Sequence, residues 1–292
     1  MSGDPGDVRA RDGGEELTIR PLGTLEEFQA CVALQELVWG EGFAERVPPA
    51  ILTVSQRLGG VVSGAWDEDG ELAGFVFGMT GWEEGRPVHW SDMLAVRPGI
   101  RGSGLGIRLK AHQRELLLER GITRVYWTFD PLESRNAWVN LARLGAVARE
   151  YVEDMYGESD SPLHRGIGTD RLVVVWELDA GRVVERLDRG TSPPGPEVLE
   201  GVPRALEVRE DGEFLLPEEA PPVQEGTPAV RVPIPADIQT LKARARSLAR
   251  EWRMAVRREM APRMARGWEV RELVRRGNLS EYLLVLEEGD PG

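Results

Sequence analysis

The chain has 292 residues, 36 Lys and Arg against 49 Asp and Glu, and a formal net charge of -13. That length holds one large domain or two modest ones with ample core, and the acidic balance argues against nucleic acid as a partner. Cys31 stands alone, which excludes an intramolecular disulfide, and His89, His112 and His164 lack ligand spacing, so no metal is expected. No apolar run reaches a membrane span, and the first fifteen residues lack the apolar centre of a signal peptide; the expectation is a cytoplasmic protein with no membrane partner.

Residues 1–15 read as a disordered leader. Leu17 to Leu22 alternates as a strand, Thr24-Leu-Glu-Glu starts a helix to about Trp39, and Pro48-Pro49 starts a second that ends at Gly59-Gly60. Cys31 falls within the first helical pattern and reads as a small core residue. Val61 to Trp66 and Leu72 to Thr80 flank Asp67-Glu-Asp-Gly70, a hairpin signal, and a turn from Gly81 to Arg86 leads into a strand from Val88 to Val96. A helix from about Leu105 to Arg120 and a strand from Ile122 to Phe129 follow, the latter parallel to the strand ending at Val96 because the crossover is right-handed. Asp130 to Ser134 opens another helix, closed by Gly145, and two strands end the region at about 146–151 and 172–178.

Between strand and helix lies a glycine-rich corner, Arg101 to Gly106. The first amides of a helix lack intrahelical acceptors and carry the positive end of its dipole, so this corner suits a phosphate. A dinucleotide fingerprint would need a glycine at Ile107, and a Walker loop would need a lysine after Gly104, where Leu105 stands. What remains is Arg101-x-x-Gly104-x-Gly106 after a strand ending in Val-x-Pro. This resembles the acyl-CoA pyrophosphate loop of the GCN5-related N-acetyltransferases, the GNAT superfamily. The strongest local matches are LAVRPGIRGSGLG and DPLESRNAWVNLARLGA; the latter, with SPLHRGIGTDRLVVVWEL, is similar to a bacterial subgroup of that family with a C-terminal extension.

The resemblance covers roughly residues 17–180 and implies an α/β (α+β) GNAT fold, a mixed central sheet whose two parallel strands splay apart to take the pantetheine arm. It implies acetyl-CoA or another acyl-CoA as cosubstrate, held by Leu94, Ala95 and Val96 of the strand and by Arg101, Gly102, Ser103, Gly104, Leu105 and Gly106 of the loop. The N–H of Leu94 is the candidate for the thioester oxygen, and Asn136 and Asn140, one turn apart, are further cofactor candidates. The family's usual tyrosine acid falls at Leu141, which cannot protonate a thiolate. Tyr126, Tyr151, Tyr156 or water would have to replace it. His89, Asp92 and Asp130 are the candidates for a base, with Glu133 nearby, and each has a structural alternative: a core histidine, a cap or an ion pair.

Residues 156–171 form a long loop in which Arg165 and Arg171 could grip a carboxylate of the acceptor or of a dicarboxylic acyl group. Residues 181–230 have linker composition, with Phe214-Leu-Leu docking locally. A helical stripe from Ile238 to Met260, ended or kinked by Pro262, and a hairpin of Trp268–Val274 with Glu281–Leu286 make a C-terminal extension over 231–290. Gly145, Arg149, Glu150 and Val152 recur 122 residues later as Gly267, Arg271, Glu272 and Val274, which suggests a degenerate half-repeat of the first domain; an unrelated appendage is as good a reading. Nine acids in 197–225 and twelve basic residues in 237–277 suggest segments that face one another or water.

The expected function is transfer of an acetyl or other short acyl group, such as succinyl, from acyl-CoA to a small-molecule primary amine, an amino acid among the candidates, by direct attack in a ternary complex. A protein N-acetyltransferase, a non-catalytic acyl-CoA sensor and a structural or dimerisation module stand as alternatives, and a homodimer is left open.

Overall fold

The structure, a computed structural model, describes residues 8–12, 15–157 and 167–286, and for residues 8–12, 15 and 16 the backbone alone. Arg165 therefore lies outside the described residues, as does most of the leader. The chain divides into two compact units, Met1–Tyr126 with Glu177–Asp179, and Trp127–Trp176 with Ala180–Gly292. The division falls inside one strand rather than at residue 180.

The first unit runs β1 (Val8–Asp12), β2 (Glu15–Pro21), α1 (Leu25–Trp39), α2 (Pro49–Arg57), β3 (Val61–Trp66), β4 (Leu72–Glu83), β5 (Arg86–Val96), α3 (Leu105–Glu119) and the first half of β6 (Arg124–Phe129). Its strands neighbour one another in chain order, β1 to β6. β1 pairs antiparallel with β2, so part of the stretch read as a leader is a strand. Thr24 caps α1 through a reciprocal box with Glu27, as its sequence signature requires. Asp67 Oδ1 accepts the Glu71 N–H at 2.8 Å to close the first hairpin. The second closes on two residues, Glu84 and Gly85, both with positive φ, which is shorter than the turn expected from composition.

Side chains of β4 alternate between two layers. Phe75 and Phe77 join Leu22, Phe28, Cys31, Leu34 and Leu52 in the core beneath α1 and α2, where burial pushes the Cys31 thiol up to about 12 and leaves it an inert core group. Gly74 faces the other way, and a Cβ there would lie 3.2 Å from both Leu105 and Leu109 of α3. The helix α3 thus packs opposite α1 and α2. β5 is antiparallel to β4 and parallel to β6, giving the mixed sheet that the motif order predicts.

The second unit begins with the rest of β6 and continues through α4 (Ser134–Ala137), β7 (Val147–Val152), β8 (Arg171–Glu177), α5 (Gly181–Leu187), β9 (Leu206–Asp211), β10 (Phe214–Glu219), β11 (Ala229–Pro235), α6 (Ile238–Arg244), α7 (Arg246–Met264), β12 (Trp268–Arg276) and β13 (Leu279–Leu286). The strand order is β6, β8, β7, β12, β13, β11, with β9 and β10 in a separate hairpin. Residues 181–230 are accordingly not a bare linker. Composition hides this because β9 and β10 carry acids and β10 a proline, and the hairpin is docked by a hydrogen bond from Trp252 Nε1 to Leu215 O, 2.8 Å. The stripe from Ile238 to Met260 is two helices, broken at Ala245 where φ is -146°. Pro262 lies inside α7, which runs only two residues past it.

The 122-residue offset has a geometric counterpart. Ala148 of β7 pairs with Val270 of β12, and those positions are themselves 122 apart. The register of β7 on β8 slips between Ala148 and Glu150, and that of β12 on β13 slips between Val270 and Glu272, so Arg149 and Arg271 are the extra residues of two matching bulges.

A buried ion pair ties α7 to the end of β6. Arg253 Nη2 lies 2.7 Å from both carboxylate oxygens of Asp130, and Lys242 Nζ is 3.8 Å from Oδ2. Burial alone would raise the Asp130 carboxyl, but Arg253 and Lys242 together hold it below its ordinary range. Substituting Arg253→Met should cost about 3–5 kcal/mol in urea unfolding near neutral pH because Asp130 is left buried. Adding Asp130→Leu to that variant should recover most of the loss.

Candidate functional site

The glycine corner lies wholly in the first unit. After β5 the chain makes a single 3₁₀ turn over Pro98–Ile100 and reaches Gly102 and Gly104 with φ of 93° and 91°. These values suit glycine and would cost another residue about 1–2 kcal/mol each. Gly104 is the residue that precedes α3, and its carbonyl accepts from Ile107 and Arg108. Among the described residues the N–H groups of Gly102, Gly104 and Gly106 have no acceptor, while that of Leu105 meets only Ser103 Oγ at 3.3 Å. Three amides thus stand free at the positive end of a fifteen-residue helix. Arg101 is exposed beside them, its Nε 3.4 Å from Val96 O.

The second element is one edge of β5. The N–H of Arg97 donates to Ala73 O of the β4 side at 2.8 Å, so in this antiparallel ladder Ala95 and Met93 also turn their backbone groups towards β4. Leu94 and Val96 turn theirs away. Within this unit β5 pairs with β6 at only two positions, His89 with Val125 and Trp90 with Tyr126. Immediately after them the register against β4 slips, with Gly78 opposite Ser91 and Phe77 opposite Met93, which makes Asp92 a bulge residue. The N–H of Leu94 therefore turns to the edge of β5 that has no partner beyond Trp90 among the described residues of this unit.

Side chains at the bulge divide between the two faces of the sheet. Trp90 and Asp92 share one face, where the Trp90 side chain hydrogen-bonds the Asp92 carboxylate and Glu45, from the segment between α1 and α2, acts on it. Desolvation raises the Asp92 carboxyl above its ordinary range, Trp90 lowers it and Glu45 raises it, with a net upward shift. Asp92 nevertheless remains open to solvent.

His89 and Ser91 occupy the α3 face and are buried. Lys110 Nζ donates to Ser91 Oγ (2.6 Å) and to Gln113 Oε1 (3.2 Å), and Ser91 Oγ donates to the same Gln113 oxygen at 3.0 Å. Gln113 Nε2 lies 3.1 Å from His89 Nε2, and His89 Nδ1 lies 3.2 Å from Thr80 Oγ1, which donates to Gly59 O at 2.8 Å. Because Thr80 spends its proton on Gly59, the chain is consistent in one direction only, with the proton of a neutral His89 on Nδ1. Burial, with Lys110 and Arg120 adding repulsion, pushes His89 down to about 3. A Cβ on Gly78 would stand 2.2 Å from His89 Nε2, so that strand position must stay glycine. Both ring nitrogens are engaged, and His89 is a core histidine rather than a base.

The other candidates lie in the second unit. Asp130 is consumed by Arg253 and is no base. Tyr151 donates to Asp170 Oδ2 at 2.5 Å, and burial followed by the Asp170 charge pushes its hydroxyl well up. In the first unit Tyr126 donates to Glu83 Oε2 at 2.6 Å. Tyr156 is 47% exposed, meets Thr128 Oγ1 at 3.1 Å and carries the Arg171 guanidinium over its ring at 5.2 Å. Glu133 accepts from Gln239 and Lys242. Asn140 is buried and donates to the exposed Asn136 at 3.3 Å, across a helix that runs from α4 into a π-helical turn, Trp138–Arg143. Leu141 is fully buried core.

Residues 30–146 match the model of the acetyltransferase (GNAT) family. This stretch is a GNAT acetyltransferase domain. No curated protein matches the chain. Solved structures similar to it include the ribosomal-protein-S18-alanine N-acetyltransferase of Escherichia coli, at 16% identity over 56% of this chain and 96% of that one, with a TM-score of 0.45. Two more are yncA of Salmonella typhimurium with its cofactor acetyl-CoA (17%, 56% and 94%, 0.45) and a GNAT acetyltransferase of Streptococcus pneumoniae (18%, 55% and 98%, 0.45). Among the described residues no helix is long and apolar enough to cross a membrane, and no cluster of three metal-ligating side chains occurs.

Sequence reasoning missed Ser91, Lys110 and Gln113. Their signal was Gln113 in the row Leu105, Leu109, Gln113, Leu117: an amide on a buried stripe requires buried partners.

The neutral His89 predicts a pH effect on stability. Its folded value lies below the unfolded 6.5, so its contribution is complete above pH 6.5 and is lost as pH falls towards 3. Wild-type unfolding free energy should fall by up to about 1.4 kcal/mol per unit over that window through this group, and a His89→Gln variant should show a shallower slope in denaturant titrations at pH 4–6.5.

Proposed function

We propose that the GNAT domain of this chain transfers an acetyl or other short acyl group from acyl-CoA to the primary amine of a small molecule by direct attack. The carrying observation is that one unit presents three free amides at the start of α3 and, on the preceding strand, a free edge at Leu94 and Val96. This donor set fits a pyrophosphate followed by an extended amide-containing arm. The amides of Gly102, Gly104 and Gly106, with Arg101 beside them, would hold the pyrophosphate, and the backbone of Leu94 and Val96 would pair with the arm like a strand. Leu94 N–H would polarise the thioester carbonyl and hold the oxyanion that forms on attack.

Asp92 suits the acceptor side. An ionised carboxylate there attracts the incoming ammonium, takes its proton and passes it to water, and the free amine then attacks. Its raised carboxyl means that activity rises with pH as Asp92 ionises, in a range above that of an ordinary carboxylate. Arg171, the other residue expected to grip an acceptor carboxylate, belongs to the second unit, where its guanidinium stacks on Tyr156 and lies 3.4 Å from Asp170 O. Leu141 in the core favours a second reading, an acyl-CoA sensor without efficient transfer, which predicts binding without turnover.

We further infer that residues 229–286 are a degenerate copy of the second half of the GNAT fold, supported by the matched bulges 122 residues apart. That copy has no glycine corner, so it should hold no CoA.

Calorimetry with acetyl-CoA should give one site per chain, and Gly104→Glu should abolish it by filling the anion position with a carboxylate; an unaltered isotherm would refute the cradle. In turnover assays with a panel of amines, Asp92→Asn should lower kcat/KM by about 10²-fold or more and remove the acidic limb of the pH profile.

A further inference from the structure

The reaction needs a proton for the departing thiolate, and the residue at the family's tyrosine position is Leu141, which has none to give. The first unit contains an alternative on the α3 face of β5. With the thioester carbonyl on Leu94 N–H, its sulfur lies at the bulge end of the free edge. Because Asp92 is the extra residue of the bulge, Ser91 opposite Gly78 is the neighbour of Leu94 opposite Val76 on the α3 face. Asp92 belongs to the face of Trp90 and Glu45, whereas Ser91 belongs to the face of α3, the helix whose start offers the phosphate cradle.

We propose that Ser91 and Lys110 form the proton-donating pair for the CoA thiolate. The Lys110 ammonium is 2.6 Å from Ser91 Oγ. As the carbon–sulfur bond breaks, the electron pair goes to sulfur, Ser91 turns its hydroxyl proton from Gln113 Oε1 to the thiolate, and Lys110 replaces that proton on Ser91. Lys110 then becomes a neutral amine and regains a proton from water. No acyl-enzyme forms. The proposal rests on the acyltransferase reading of the same unit.

The rest of the cluster fits this direction of transfer. Ser91 and Lys110 retain 5% and 6% exposure, whereas His89 and Gln113 have none. Gln113 holds both Ser91 and Lys110 through Oε1 and is itself fixed by His89. Charged and titratable groups on the elements around the pair are His89 from β5, kept neutral, and His112, Arg114, Glu115, Glu119 and Arg120 from α3. His112, Arg114 and Arg120 turn to Ser63, to Leu178 O, and to the carbonyls of Gly59 and Gly60. β4 contributes the uncharged Thr80. Burial lowers Lys110 to about 7, so near neutrality it can both give and regain a proton.

The decisive measurement needs no acceptor. Free CoA bound to the full chain is titrated by the ultraviolet absorbance of its thiolate, in the wild type and in Lys110→Met, Lys110→Arg, Ser91→Ala and Tyr156→Phe. Hydrogen bonding from Ser91, backed by the Lys110 amine, favours the thiolate, so the bound thiol should titrate below free CoA in the wild type. Lys110→Met should abolish that shift while CoA affinity at pH 7 and the melting temperature stay near wild-type values, and Tyr156→Phe should leave it in place. If Lys110→Met does not fold, Ser91→Ala decides the matter through a weakened shift and a lower kcat. With acceptor present, the wild-type rate should fall as pH rises through about 7 and Lys110 loses its proton, and Lys110→Arg should move that limb to higher pH. Equal thiol titration in the wild type and Lys110→Met would overturn the assignment and leave the transferase reading intact. Absence of CoA binding by the wild type would remove both.

Discussion

The backbone at Gly102 and Gly104 sets the terms for the rest of the first unit. Three amides can be offered to one anion only if the chain turns through positive φ twice within three residues and then enters a helix without spending those amides on its own carbonyls. In water the amides are hydrated and cost little. For the proposed cradle their value would lie in being fixed, because a pyrophosphate would replace several waters at the positive end of a helix dipole. The support is rigid for the same reason: Leu105 and Leu109 are buried against β4, where Gly74 leaves room for them.

The same strand has a second constraint, and the two meet at Asp92. Ahead of the bulge β5 pairs on both sides; behind it the edge at Leu94 and Val96 is open within its unit. A bulge locally bends the strand and breaks the ladder. The price is a buried polar layer under Ser91, because Lys110, Gln113 and His89 all lie on the α3 face where an ordinary sheet would place leucines. Each member is hydrogen-bonded, which is the condition for such a layer to be tolerated. Gly78 is the residue that makes this possible, since any side chain there would occupy the imidazole's place.

These physical reasons decide what was legible in the sequence. The glycine corner, the Thr24 cap, the Asp67–Gly70 hairpin and the helix α3 are local, so their residues announce them. The roles of Asp130 and Tyr151 were not legible, because the groups that neutralise them, Arg253 and Asp170, are brought by tertiary packing from 123 and 19 residues away. His89 beside Trp90 offered two readings, and only the hydrogen-bonded chain through Gln113 and Thr80 selects the structural one. The hairpin of β9 and β10 was concealed by its acids and Pro217, which suit a short two-stranded element with an exposed rim but resemble linker composition in a linear reading.

The second unit shows how a weak sequence signal gains weight from geometry. Four identities at a spacing of 122 distinguish little by themselves. Antiparallel neighbours related by a two-fold axis normal to the sheet must, however, pair equivalent residues with each other at the axis, and Ala148 does pair with Val270. The bulges at Arg149 and Arg271 then fall at equal distances on either side, and the strand order β6, β8, β7 is mirrored by β11, β13, β12. An unrelated appendage could add strands to the free edge of β7, but nothing would oblige it to slip register at the corresponding residue. A copy inherits that slip with its sequence. Under the proposed duplication the copy would also keep the need for a partner on its own edge, which β7 supplies. The absence of a glycine corner from residues 229–286 then has a physical reading, since the repeat would begin after the position where a phosphate loop would stand.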